Sequence, residues 1–451
     1  MSASRPHILV IGGGYVGLYT AYGLQQRIRP GQAQVTLVSP ESYMTYQPFL
    51  PEAAAGSLEP RHVVAPLRRM LPRVRIINAE LTSLDHATRT ARICAVSGEE
   101  REIGYDVVVI ALGSVARTLP IPGLSEQGIG FHNVGEAIYL RNHVLSRLDV
   151  AVSTDDPARR RRALNFVFIG GGYAGVEALA ELEDMARDAC RHYKGLDAAE
   201  MRWVLVDAAD RIMPEVDLDL ADYTVDRLED RGIEVRTGTK LSSCVDGQVE
   251  LSDGTTFETD TVVWTAGVKP HPVLAATDLP RDEKGRLRCN ADMTITGVDD
   301  AWAAGDSAGV PDLTRPGQLC APTAQHAVRQ ARLLAKNIYA TIRGGKPEEY
   351  RHRNVGSVAT LGLHKGVAQV YGIKVRGWPA WLMHRTYHVS RMPTLNRKVR
   401  VVGDWTFSLF FTRESVSLGQ LHRPRQEFEL ATRTGAAPEP KQVRTGTTAN
   451  R

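Results

Sequence analysis

The chain is 451 residues long, 43% hydrophobic and 24% charged, the composition of a globular protein of two to four domains. It has no run of about 18 apolar residues and no apolar leader after "MSASRP", which excludes a transmembrane helix and a secretory signal and leads us to expect a cytoplasmic protein. Net charge is only +4, and five scattered cysteines without a Cys-x-x-Cys pair exclude a zinc ribbon and give no support to a dithiol centre, so no metal site is expected.

The first element, "HILVIGGGYVGLYTAYGLQQ" (7–26), is an apolar strand, then Gly12-x-Gly14-x-x-Gly17, then a helix. The first glycine makes the tight turn, the second lets the backbone approach a pyrophosphate, and the third packs helix on strand. The next strand, "QAQVTLVSP" (32–40), ends at Ser39, where a carboxylate would bind an adenosine ribose more firmly; Glu41 is a nearby substitute. "YDVVVIALGS" (105–114) is a buried strand running into a turn of small residues around Ala111 and Gly113. "ARRRRA" (158–163) reads as a solvated charge run.

"NFVFIGGGYAGVEALAELEDMARDACR" (165–191) repeats the opening design with Gly170, Gly172 and Gly175. Its second strand, "MRWVLVDAADRIMP" (201–214), ends at Asp207, whose carboxylate accepts ribose hydroxyls and repels a 2′-phosphate, favouring NADH over NADPH. "TDTVVWTAGVKP" (259–270) again runs a buried strand into a small turn at Gly267, and "AWAAGDSAG" (301–309) ends a strand at Gly305-Asp306, where Asp306 suits the ribityl hydroxyls of FAD.

"APTAQHAVRQ" (321–330) then opens a helix, with Pro322 in its first turn. Its amide end, from Ala324, is expected to face the flavin's pyrimidine edge. Gln325 and Gln330 are candidates for a carbonyl-bearing acceptor, and His326 is expected to face solvent. Together these elements describe an α/β protein with two Rossmann-like dinucleotide-binding domains. The FAD-binding domain (1–118 and 267–345) is interrupted by an NADH-binding domain (119–266).

These motifs resemble the type II, non-proton-pumping NADH:quinone oxidoreductases over about residues 7–420. The resemblance is carried by "VSPESYMTYQPFLPEAAAGSLEP" (38–60, with Gln47 expected at the cofactor), "IGGGYAGVEALAEL" (169–182), "VVWTAGVKP" (262–270), "GDSAG" (305–309), "APTAQHAVRQA" (321–331) and "GSVATLGLHKGVAQVYGIKVRGWPAWLMHRTYH" (356–388). It implies Glu177 near the nicotinamide face and Gln325 at the quinone. Arg329 stands where that family often has a second glutamine. The family's C-terminal anchor is usually richer in leucine and phenylalanine than residues 378–411.

Residues 346–430 carry a net +8 and residues 431–451 a net +3, on a body of −7. Trp378, Trp381, Leu382, Met383, Trp405, Phe407, Leu409, Phe410 and Phe411 interleave with Arg385, Arg391, Arg397, Lys398 and Arg400. Such a pattern fits a segment lying on an anionic membrane surface; packing as ordinary core or a homodimer contact is the other reading. No nucleic-acid motif appears. Residues 431–451 read as a disordered tail.

The expected reaction is hydride transfer from NADH to FAD, then two electrons to a membrane quinone without proton pumping, by a protein peripheral on the inner face of the cell membrane. The nearest alternative is an NADH-dependent soluble reductase of a ferredoxin- or rubredoxin-type protein. A disulfide or sulfide:quinone reductase lacks its cysteine pair at "SYMTYQPF", and an NADH-binding sensor is the non-enzymatic reading.

Overall fold

A computed structural model describes residues 5–353, 356–411, 413–418, 424–426 and 429–430. The expectation for residues 431–451 lies outside the described residues.

Two sheets carry the architecture. The first has seven strands, ordered Ala301–Ala303, Val107–Ile110, His7–Ile11, Gln34–Ser39, Arg75–Asp85, Thr90–Ala95 and Glu100–Gly104. Its first five strands are parallel, with Ile11 between Ile110 and Val38, and the last two are antiparallel. The second sheet is five parallel strands, ordered Gly128–Gly130, Thr261–Trp264, Asn165–Ile169, Arg202–Val206 and Ile233–Arg236. The apolar runs HILVI, VVVI, NFVFI and TVVW are buried along nearly their whole length, as strands covered on both faces must be.

In both sheets the strand before the glycine-rich turn sits where strand order reverses, between His7–Ile11 and Val107–Ile110 and between Asn165–Ile169 and Thr261–Trp264. Open parallel sheets bind ligands at the carboxyl ends of such strands. The chain leaves the first sheet through Ser114–Ala116 and returns through Val268–Pro270. These pair antiparallel, Ser114 opposite Pro270, as a narrow ribbon between the two sheets.

The helices that position the site are α1 (Tyr15–Arg27), α2 (Leu50–Ala54), α3 (Val134–Val152), α4 (Tyr173–Cys190), α5 (Ala324–Thr341), α6 (Trp378–Arg391) and α7 (Leu395–Phe407). α1 and α5 cross closely: a Cβ on Gly23 would lie 2.6 Å from that of Ala335.

The C-terminal module is a three-stranded antiparallel meander (Gly356–Thr360, Gly366–Val370, Ile373–Arg376) followed by α6 and α7. Its sheet grips the second lobe, where Lys374 pairs with Asp217 and Asp219, and Arg376 with Asp219. Its helices grip the first, through Arg385 to Glu52 and His62 to Asp404.

The 158–163 arginine run is a short helix, Pro157–Ala163, and only partly solvated. Arg160 forms a two-pronged pair with Glu200, and Arg162 bonds Asp260 and the Asp246 carbonyl. The run is uniform in sequence, but its alternate members face partners distant in the chain within the same lobe.

Candidate functional site: two glycine cradles and the strand that joins them

The two glycine-rich turns have the same construction. Gly12 and Gly170 have φ of +107° and +117°, open only to glycine without strain. A Cβ on Gly12 would strike the Ala111 carbonyl at 2.2 Å, and one on Gly170 the Thr265–Ala266 backbone at 2.7 Å. Cβ atoms on Gly17 and Gly175 would overlap the Gly12 and Gly170 carbonyls. On Gly14 and Gly172 a Cβ would meet nothing within 4 Å, so these are the faces left open.

Neither α1 nor α4 has a side-chain cap or an acidic residue in its first turn. Leu18 N–H and Val176 N–H close the first turns on Gly14 O and Gly172 O, leaving the amides between them directed outward with the positive helix end. Two dinucleotide pyrophosphates fit these cradles.

Around the first cradle, Ser39 is buried at the end of its strand, and a Cβ on Gly13 would meet its Oγ at 2.5 Å. Glu41 is exposed beside Tyr43. Asp306 Oδ2 accepts from Ser114 Oγ at 2.7 Å, and Ser307 Oγ donates to the Gly113 carbonyl, so the Asp306 and Gly113 turns adjoin. Gln47 Nε2 donates to the His132 carbonyl at 3.2 Å. Around the second, Asp207 Oδ1 accepts from Ala209 N–H at 2.7 Å and Oδ2 from Gly171 N–H at 2.5 Å, so this carboxylate is fixed against the glycine turn. Gly267 has φ +87°, and its carbonyl accepts from Arg117 N–H across the ribbon.

The α5 start differs in detail from its sequence reading. Thr323 is the N-cap, with its hydroxyl accepting from His326 N–H, so Pro322 precedes the helix instead of opening it. Ala324 and Gln325 keep the outward amides. Gln330 does not face an acceptor: it is buried, and its Oε1 accepts from Gly305 N–H at 2.8 Å, holding the Gly305-Asp306 turn. His326 does not face solvent: it is buried with Nδ1 2.9 Å from the Tyr350 hydroxyl, and burial lowers its pKa. Burial pushes the neighbouring Cys320 thiol up to about 11, which makes it a poor nucleophile. Arg329 donates to the Gln325 carbonyl.

Glu177 and Gln325 meet one strand. Gln325 Nε2 donates to the Gly356 carbonyl at 2.9 Å, and Glu177 Oε1 accepts from Thr360 N–H at 2.9 Å. Four residue steps along the strand separate these anchors by about 13 Å. Among the described residues Gln325 Oε1 is buried with no hydrogen-bond partner; the Tyr173 hydroxyl, also buried, lies beside Ser357 and Glu177. Gln325 Oε1, in the first turn of α5, is open to a ligand at the seam.

Behind the seam lies a buried polar cluster that sequence reasoning missed. His384 Nε2 is 3.4 Å from Glu177, and the His384 and His388 rings pack edge to face. His388 also meets the Tyr46 hydroxyl and is held neutral, its pKa well below the ordinary value through burial and the neighbouring His384. Glu52 accepts from Arg385 at 2.9 Å and from Trp405 Nε1 at 2.7 Å, while Arg385 stacks 4.0 Å over Trp381 and 4.7 Å over Trp405. These two tryptophans therefore pack inward and are not surface anchors. Among the described residues no cluster could hold a metal ion, and no helix is long and apolar enough to cross a membrane.

The fold and its two cradles are those of a pyridine nucleotide-disulphide oxidoreductase, and that family matches residues 6–331. A type II NADH:quinone oxidoreductase from Staphylococcus aureus is 31% identical over 398 residues, covering 85% of this chain and 94% of that one. Within the wider class, the chain belongs to the type II NADH:quinone oxidoreductases. NDH2 from Plasmodium falciparum, solved in complex with NADH, superposes with a TM-score of 0.85 at 16% identity, covering 91% of this chain and all of that one. A ferredoxin reductase from Rhodopseudomonas palustris matches with a TM-score of 0.64 at 22% identity, over 81% of this chain and 82% of its own.

Proposed function

We propose that this chain oxidises NADH and reduces a quinone, using FAD held in the first cradle. The observation that carries the reading is the strand Gly356–Thr360, which bonds the start of α5 through Gln325 and the body of α4 through Glu177. Bound FAD supplies the redox chemistry, accepting hydride from NADH and giving two electrons to the quinone.

In this reading the first lobe, residues 1–118 and 267–345, holds FAD with Gly12, Gly14, Gly17, Ser39, Gln47, Ala111, Gly113, Asp306 and the Ala324 amide. The second, residues 119–266, holds NADH with Gly170, Gly172, Gly175, Asp207 and Gly267. Outward amides at the start of α5 would stabilise negative charge on a bound flavin. Glu177 orients the nicotinamide side, and Gln325 orients the quinone carbonyl.

Residues 346–430 serve membrane contact on the inner face of the cell membrane. Leu395, Val399 and Val402 share one outward face of α7, 76%, 62% and 47% exposed. Phe407, Leu409, Phe410 and Phe411 continue it, flanked by Arg397, Lys398 and Arg400. An exposed apolar ridge with cations beside it suits an anionic lipid interface. Pairing of two copies through this ridge is the competing use, and sedimentation with and without anionic vesicles separates the two. A soluble ferredoxin-type reductase is not favoured, because the likeness to the type II enzyme spans 85% of this chain at 31% identity.

Stopped-flow oxidation of the NADH-reduced protein by ubiquinone and menaquinone analogues tests the reading. Fast reoxidation, slowed about tenfold or more in Gln325→Ala with normal reduction by NADH, is the expected result. Slow reoxidation by every quinone would overturn it.

A further inference from the structure

We propose that Arg413 is a positioning residue of the site. The segment after α7 carries its guanidinium into the seam between α4 and the C-terminal module, where it holds Glu181 as a carboxylate and, through Thr360, fixes Glu177. This rests on the role given to Glu177 above.

The segment is built to deliver one side chain. Residues 413–418 run extended across α3, and an extended chain turns alternate residues to opposite faces. Arg413, Ser415 and Ser417 turn inward, while Glu414, Val416 and Leu418 are exposed. Two residues of α3 set the register. Arg141 donates to the Glu414 carbonyl at 2.7 Å, and Asn142 Oδ1 accepts from Leu418 N–H at 3.1 Å. Gly56, at φ +73°, leaves room for the crossing, because a Cβ there would meet the Glu414 carbonyl at 2.6 Å. The Arg413 side chain is left 10% exposed, although it follows the exposed ridge directly.

Each buried acid of the seam has one base opposite it. Glu52 pairs with Arg385 at 2.9 Å, Glu177 with His384 at 3.4 Å, Asp184 with Arg231 at 2.9 Å, and Glu181 with Arg413 at 3.5 Å. Arg385 and His384 come from α6 and Arg231 from the second lobe. Arg413 is supplied from beyond α7. Glu181 is fully buried. Burial raises its pKa, and Arg413 is the largest charge opposing that rise. Among the described residues the terminal nitrogens of Arg413 make no hydrogen bond. The pair therefore acts by charge and not through a shaped fork, and a lysine can stand in for it.

Glu181 passes the effect on. Its Oε2 faces Arg413, and its Oε1 accepts from the Thr360 hydroxyl at 3.0 Å. Thr360 N–H donates to Glu177 Oε1 at 2.9 Å. A threonine hydroxyl has one proton to give. While Glu181 is ionised that proton is drawn to α4; once Glu181 is neutral it is free for the Gly362 carbonyl, 3.3 Å away. The charge on Arg413 thus decides whether the Thr360 side chain is tied to the α4 face that carries Glu177, one helical turn from Glu181.

The test uses the full-length FAD-loaded protein. The pH at which Glu181 takes up its proton is read from the infrared C=O band that is lost in Glu181→Gln. Arg413→Gln should raise this midpoint by about one to three pH units, and Arg413→Lys should return it most of the way. In stopped flow, Arg413→Gln should slow flavin reduction by NADH about tenfold and Arg413→Lys should recover most of that rate. Reoxidation by a quinone analogue should hold in both, because Gln325 meets the strand at its other end.

Thr360→Val cuts the link beyond Glu181 and should slow flavin reduction by the same factor. If Arg413→Gln does not fold, this variant carries the kinetic test; where both fold, their combination should be no slower than either alone. An unmoved midpoint in Arg413→Gln, equal slowing by glutamine and lysine, or normal reduction in Thr360→Val would overturn the proposal. If the unsubstituted protein is not reduced by NADH, the reading of the site fails, and the infrared midpoint still decides the pairing of Arg413 with Glu181.

Discussion

At the scale of single residues, Asp207 and Gln325 lend themselves to opposite experiments. Asp207 is pinned by two backbone amides, so its charge is fixed at the second glycine turn. Asp207→Ala removes both bonds and the repulsion of a 2′-phosphate. The expected outcome is a KM for NADH raised about tenfold and a narrower preference over NADPH, read from steady-state kinetics with both nucleotides. Gln325 is held by one end only, with Oε1 left for a ligand; its alanine variant should fail in the quinone half-reaction alone.

His326, His352 and His388 all have pKa values lowered by burial. The unfolded chain binds protons at these sites that the native protein does not. Their contribution to stability is therefore complete above the unfolded pKa of about 6.5 and is lost as pH falls below it. Denaturant melts across this range should show the decline, and His388→Gln should flatten it. A stability independent of pH below 6.5 would contradict this account.

Among the elements, α6 is docked by charge as much as by apolar packing. Arg385 is 7% exposed at its side chain and Glu52 1%. Arg385→Met keeps the stack between two tryptophans but strands a buried carboxylate. The expected loss is about 3 kcal/mol in urea unfolding. A double variant with Glu52→Gln should recover much of it, a result that a purely steric role for Arg385 would not give.

The elements also show how far a sequence can be read. The strand–glycine turn–helix geometry and the turn at Gly305 are legible because each follows a local rule, with its parts contiguous in the chain. Gln330 and His326 were misjudged because their partners, Gly305 and Tyr350, arrive from elsewhere in the sequence. A polar residue on a helix does not declare whether something covers it. Trp381 and Trp405 were misplaced for the same reason: aromatic spacing marks a sticky face but not Arg385 between the two rings. The Glu52–Glu181–His384 cluster left only one trace in the sequence, the four-residue interval from Glu177 to Glu181 on a helix otherwise rich in alanine and leucine.

For the whole molecule, the C-terminal module straddles both lobes, and its outer ridge is the proposed lipid contact. Val399→Glu with Phe410→Glu puts two carboxylates on that ridge without touching the packed faces of Trp405 or Val401. Co-sedimentation with anionic vesicles should fall at low and high salt alike. Lys398→Gln with Arg400→Gln should lose about 1 kcal/mol per cation, and mainly at low salt. Equal binding by all three proteins would argue that lipid is not the partner of this face.

The narrow ribbon of Ser114–Ala116 against Val268–Pro270 makes the second lobe an insertion into the first. Paired strands lie about 5 Å apart, so everything between residues 117 and 267 enters and leaves through a gap that a short turn could close. A segment so tethered can be acquired by one insertion into an older, uninterrupted sheet, with no strand of the host re-ordered. The meander bonds Glu177 of the inserted lobe at one end and Gln325 of the host lobe at the other. In that sense the C-terminal module made a permanent partnership of what the ribbon left as a graft.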